Sequence, residues 1–133
     1  MAEKNEVGAL ILRVTLGIIF FVHGLVKFQG GIGNTAGWFD SIGLPGFLAY
    51  IVATIELAGG IALILGIGTK VVSALLALIL LVATLKVKLA AGFLGNGQVS
   101  GYEFDLALLA IAVYLVLNGS KLFSAAHFLG KDK

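Results

Sequence analysis

The chain has no cysteine. That removes disulfides, thiolate metal ligands, iron–sulfur ligation and any thiol relay, so dithiol redox chemistry cannot reside in this chain. Histidine is nearly absent: His23 and His127 are the only two, too few for a dedicated metal site. Charge is scarce as well. Asp, Glu, Lys and Arg make up 12% of the residues, whereas a soluble domain carries about a quarter. Nine Lys and Arg against seven Asp and Glu leave a formal charge of +2, but the cations are scattered along apolar segments with no basic run. Nucleic acid is therefore not an expected partner. Proline and tryptophan occur once each, as Pro45 and Trp38.

What fills the chain instead is apolar: 59% of its 133 residues are hydrophobic, and mean hydropathy is +1.08. This is the composition of an integral membrane protein, expected as one compact domain embedded in the lipid bilayer. Four spans are predicted, at about Gly8–Phe28, Phe47–Ile67, Val71–Ala90 and Tyr102–Leu117. Short connections make neighbours antiparallel, so the fold class is all-α, an up-down-up-down four-helix membrane bundle. The first span reads as a retained anchor rather than a cleaved signal, because Arg13 interrupts it and no small-residue cleavage site follows. Proline suits the start of the second span, Trp38 with Phe39 suits the interface, and Asn118-Gly119 stops the fourth span. The mildly amphipathic tail from Lys121 is expected to form a short interfacial helix. The Gly-rich stretch GGIGNTAG reads as flexible connection, not as a phosphate cradle. Lys4, Lys70, Lys121, Lys131 and Lys133 share one side with both termini, which places that side in the cytoplasm.

The second span carries a single charge, Glu56, near its middle. A carboxylate there costs about 2.5–3.5 kcal/mol on insertion scales, so it must face protein or water and pair with a cation or take up a proton. Periodicity turns it inward. Ala49, Ala53, Glu56 and Gly60 form a small-residue stripe that matches Arg13, Gly17, Phe20, Gly24 and Lys27 on the first span. In depth Glu56 falls between Arg13 and His23, and either is a candidate partner. His23, Lys27, Lys86, Lys88, Tyr102, Glu103 and Asp105 gather at the opposite end of the bundle from the termini. Glu103, Ala107, Ala110 and Tyr114 share a stripe on the fourth span. Plainer roles compete. Lys27 and Lys88 can snorkel, Asp105 reads best as a favourable first-turn charge, and Glu56 with Arg13 can be a structural ion pair.

These features, taken in order, resemble the DoxX family of small bacterial membrane proteins. They are Arg13, Gly17 and Phe20; His23-Gly24 and Lys27; Gly43-Leu44-Pro45; Glu56-Leu57 with Gly59-Gly60; Leu65-Gly66 with Thr69; and Glu103. No single piece is specific, but their order and spacing are. The resemblance implies a four-helix membrane subunit linked to oxidoreductases, the family's name coming from a membrane subunit of a thiosulfate:quinone oxidoreductase. It marks Arg13, His23, Lys27, Glu56 and Glu103 as family-like.

Three functions fit the residues. The first is a redox subunit that binds a quinone or similar lipophilic molecule. His23 and Glu56 would transfer protons, Arg13, Lys27, Lys86, Tyr102 and Glu103 would line the ligand site, and no cofactor would be covalently bound. It would not turn over alone and would need a redox partner protein. The second is a non-catalytic anchor or assembly partner. The third is a small proton-coupled transporter, which would have to form a homo-oligomer.

Overall fold

A computed structural model describes residues 2–97 and 101–125. The elements in order are α1 (Ala2–Gln29), α2 (Ile32–Ser41), α3 (Phe47–Leu65), α4 (Thr69–Ala83) and α5 (Glu103–Asn118). A π-helical turn (Thr84–Lys88) and a 3-10 turn (Leu89–Ala91) continue α4. The architecture is the expected all-α one: α1, α3, α4 and α5 run antiparallel, each packed against the next, with α1 also meeting α5. Both α1 and α3, and α4 with its two following turns, are long and apolar enough to cross a membrane.

Local chemistry sets the boundaries. Gly66 ends α3 in the left-handed conformation, at φ 78°, and the Ile67 amide donates to the Ala62 carbonyl at 2.8 Å. That closes two of the carbonyls a helix end leaves open. Gly68 is also left-handed, and α4 restarts at once.

Lipid gives helices no hydrophobic reason to associate, so close backbone contact must do it. The α1–α3 seam provides this. A methyl group on Gly60 would lie 2.5 Å from the Phe21 nitrogen, and one on Gly24 would lie 2.5 Å from the Leu57 nitrogen. The two small-residue stripes therefore meet, as the sequence predicts. Around the seam, Leu16, Phe20, Leu63, Leu76, Leu108 and Leu115 form a core that is at most a few per cent exposed.

Three expectations change. The stretch read as flexible connection holds a ten-residue helix, α2, seated on α3 through buried Phe39. The third span does not run on as one α-helix to Ala90, because it rewinds at Thr84. The fourth helix, at 16 residues and about 24 Å, keeps the length of its predicted span. Finally, its Glu103, Ala107, Ala110 and Tyr114 stripe faces outward, while Asp105, Leu108, Ala112 and Leu115 form the inward one. The interfacial helix expected in the tail, with His127, lies largely outside the described residues.

Candidate intramembrane polar site

Register along the α1–α3 seam fixes depth. Gly24 backs onto Ala53 and Leu57, and Gly17 onto Gly60 and Ile64, which puts Glu56 level with His23. Lys27 lies one turn farther along α1, and its long side chain reaches back. Its Nζ donates to Glu56 Oε1 at 2.6 Å. The carboxylate is thus buried and paired, but with neither of the partners expected from sequence. His23 is at the right depth yet turned aside, and Arg13 is at the far end.

A second pair lies beside the first. Lys88, on the π turn, sits 3.4 Å from the Asp105 carboxylate in the first turn of α5. Asp105 is buried, where the sequence reading placed it in the cluster but favoured a first-turn dipole role. Its signal was there: it is three residues before Leu108, on the stripe that continues through Ala112 and Leu115. Glu103, the candidate of the two, is exposed. We expect Asp105→Asn to cost about 1–3 kcal/mol in detergent thermal denaturation and Glu103→Gln less than about 0.5 kcal/mol.

His23 stands between the two pairs, within electrostatic reach of Glu56, Lys27, Asp105 and Lys88. Its ring meets Phe20 and Phe104 edge-on, with centroids 6.2 and 6.4 Å away, and it is exposed at the surface of the helices. An imidazole with aromatic edges on both sides and compensated charge behind it can donate or accept a proton toward a ligand arriving from the bilayer.

The other candidates lie apart. Tyr102 is half-buried against the Phe93 ring, 5.5 Å between centroids. Exposed Lys86 extends toward Gly43 in the turn before α3.

Arg13 belongs to the opposite end of the bundle. It is beside Gly66, ten residues and about 15 Å along α3 from Glu56. Its guanidinium donates to the Ser120 carbonyl and hydroxyl, at 3.4 and 3.3 Å, and to the Leu122 and Phe123 carbonyls, both at 3.1 Å. Glu6 takes the Lys121 amide at 2.9 Å, and Ser124 Oγ donates to the Gly66 carbonyl at 2.9 Å. Arg13 is therefore not a ligand residue of the cluster. It straps residues 120–124 across the bundle, a role that no helical periodicity signals. Among the described residues no group of three or more His, Cys, Asp and Glu could hold a metal ion.

The DoxX family model matches residues 8–89, more than half of the chain. Over its whole length the chain is 48% identical to "Putative oxidoreductase CatD" of Bacillus subtilis (strain 168), covering 95% of that protein. It is 33% identical to "Inner membrane protein YqjF" of Escherichia coli (strain K12) over about half of each chain. It is 28% identical to "Uncharacterized membrane protein Rv3486" of Mycobacterium tuberculosis over 92% of this chain and 81% of that one. No solved structure matches the chain.

Proposed function

Because the chain belongs to the DoxX family of membrane proteins, we propose that it is the ligand-handling membrane subunit of a redox system, taking a quinone or similar lipophilic ring at the polar cluster. The oxidoreductase named among its relatives gives the class. The observation that carries the reading is His23: an exposed imidazole inside the membrane, with Phe20 and Phe104 on its flanks and two compensated ion pairs behind it. We place the chain in a bacterial plasma membrane with both termini in the cytoplasm.

Each group has a role in this reading. The Phe104 ring, exposed beside His23, fits the rim of a flat ring, while buried Phe20 backs the imidazole from the core. His23 supplies a hydrogen bond to a ligand carbonyl and passes a proton to it. Lys27 pairs with Glu56 and can share its remaining N–H donors with the ligand. Glu56 is the carboxylate that exchanges protons with the site in this reading. Asp105 and Lys88 keep the rest of the pocket neutral. A bound quinone supplies the two-electron chemistry. The electrons come from a bound substrate or from a partner protein, since this chain has no cysteine with which to hold an iron–sulfur cluster.

The satisfied ion pairs also suit the second reading, an anchor on which a redox or stress-response protein assembles. Retained lipid separates the two. Purified with native lipid, the protein should yield quinone on extraction. His23→Ala and Glu56→Gln should each lower that yield about tenfold, the equivalent of about 1.4 kcal/mol of lost affinity. Unchanged yield in both variants, with a stoichiometric soluble protein co-purifying, would favour the anchor.

A further inference from the structure

The cluster lies where the bundle is missing part of a helix. Phe104, the second residue of α5, meets His23, so α5 begins at the depth of the cluster. Helix α3, by contrast, starts nine residues farther out than Glu56, about 13 Å. Outward of Glu103 the described chain, residues 92–97 and 101–102, is non-helical. Its base is closed by the Tyr102 and Glu103 amides donating to the Gly92 and Phe93 carbonyls, at 3.2 and 3.0 Å. Non-helical backbone at membrane depth is tolerated only where it is buried in protein or lines water.

On the other side of the cluster the bundle is filled. Leu16, Phe20, Leu63, Leu76, Leu108 and Leu115 are at most 3% exposed, and α1 and α3 touch backbone to backbone at Gly17 and Gly60. Below them the strap of residues 120–124 is held by Arg13, Glu6 and Gly66.

We infer that the cluster is the floor of a dead-end well: water, protons and polar solutes reach His23, Lys27 and Glu56 from the loop face, where α5 begins, and not from the face of the termini, where the buried Ser73 and Thr69 hydroxyls are sealed among apolar side chains. Two consequences follow for the site. Protons consumed or released there are exchanged with the loop face alone. A single copy cannot pass an ion or solute through its own bundle, which removes the transporter reading for the isolated chain. The inference rests on the cluster being the site, and not on which ligand it holds.

The absence of cysteine makes the test direct. Single-cysteine variants in right-side-out and inverted vesicles are treated with trimethylammonioethyl methanethiosulfonate, a charged thiol reagent that does not cross membranes. His23→Cys and Glu56→Cys should react from the loop face at least an order of magnitude faster than from the face of the termini. Lys70→Cys, exposed in the first turn of α4, should show the reverse. Glu103→Cys leaves both ion pairs intact and should follow His23→Cys, which guards against misfolding of the first two. Leu16→Cys and Ser73→Cys, on the closed side, should stay unmodified from either face. Modification of His23→Cys from the face of the termini, or of Ser73→Cys from any face, would overturn the well. So would silence of His23→Cys, Glu56→Cys and Glu103→Cys on both faces while Lys70→Cys reacts. The labelling needs no bound ligand, so a failed quinone assay leaves it standing, and two-sided labelling sinks the well without touching ligand retention.

Discussion

Gly60→Ala is expected to remove most of the folded protein. The added methyl would lie 2.5 Å from the Phe21 nitrogen and 2.6 Å from the Gly17 carbonyl oxygen, both backbone atoms that cannot rotate away. Either α1 and α3 separate or one of them bends, and each loses contacts that lipid does not replace. Overpacking of this kind costs about 1–3 kcal/mol in soluble cores, and rigid backbone on both sides puts this site at or above the top of that range. Gly24→Ala should behave alike, since its methyl would meet Leu57 backbone at 2.5 Å. Two glycines calibrate the effect. At Gly59 the methyl would meet side chains alone, Val72 at 3.2 Å and Leu76 at 3.8 Å, so a small loss is expected. At Gly8 nothing lies within 4 Å, and alanine's better helix propensity should leave stability unchanged or raise it by up to about 1 kcal/mol. The readout is the monodisperse fraction after detergent extraction, with denaturant titration where enough protein survives. Equal behaviour of all four variants would show that the seam is not close-packed. Separation of the seam would also part Lys27 from Glu56, so ligand retention should fall with the fold.

Arg13→Met should release the far end of the bundle and leave the polar cluster in place. The Ser120 carbonyl, 1% exposed as a residue, loses its donor with no water at hand, and the less buried Leu122 carbonyl loses its own. A buried group left unsatisfied costs about 1–3 kcal/mol, so the total is on the order of 3 kcal/mol. There is a local penalty too. Phe123 is held at φ 51°, a left-handed backbone that a phenylalanine adopts only when its surroundings impose it. The guanidinium on its carbonyl is part of what imposes it. Proteolysis within 119–125 should accelerate in Arg13→Met, with quinone yield per folded molecule unchanged. Arg13→Lys should be intermediate, because one ammonium cannot reproduce a fork reaching three carbonyls. The opposite pattern, ligand lost and the strap intact, is what a role within the cluster would give.

These expectations draw on different layers of information. The glycine seam was legible because spacing alone decides which residues share a helical face. The same spacing turned Glu56 inward. On α5 it groups Glu103, Ala107, Ala110 and Tyr114 on one stripe but does not say which way that stripe faces; they turn outward, and the larger Leu108 and Leu115 fill the core. The helix α2 was missed because its glycines read as breakers, whereas it is supported by Phe39 packing onto the bundle.

The sequence by itself determined that this chain crosses a membrane as antiparallel helices, that α1 and α3 meet through glycine, and that one acid sits among them facing protein. Composition and helical period dictate those things, and both are local. Only the tertiary structure decided that Lys27 rather than Arg13 or His23 neutralises that acid, that Asp105 and Lys88 form a second pair, and that Arg13 clasps the returning tail. Those outcomes depend on how far one helix slides past another. Each residue of slip moves a group about 1.5 Å, while a lysine or arginine side chain spans several residues' worth of rise. The helical period is therefore compatible with several partners, and packing in three dimensions selects one.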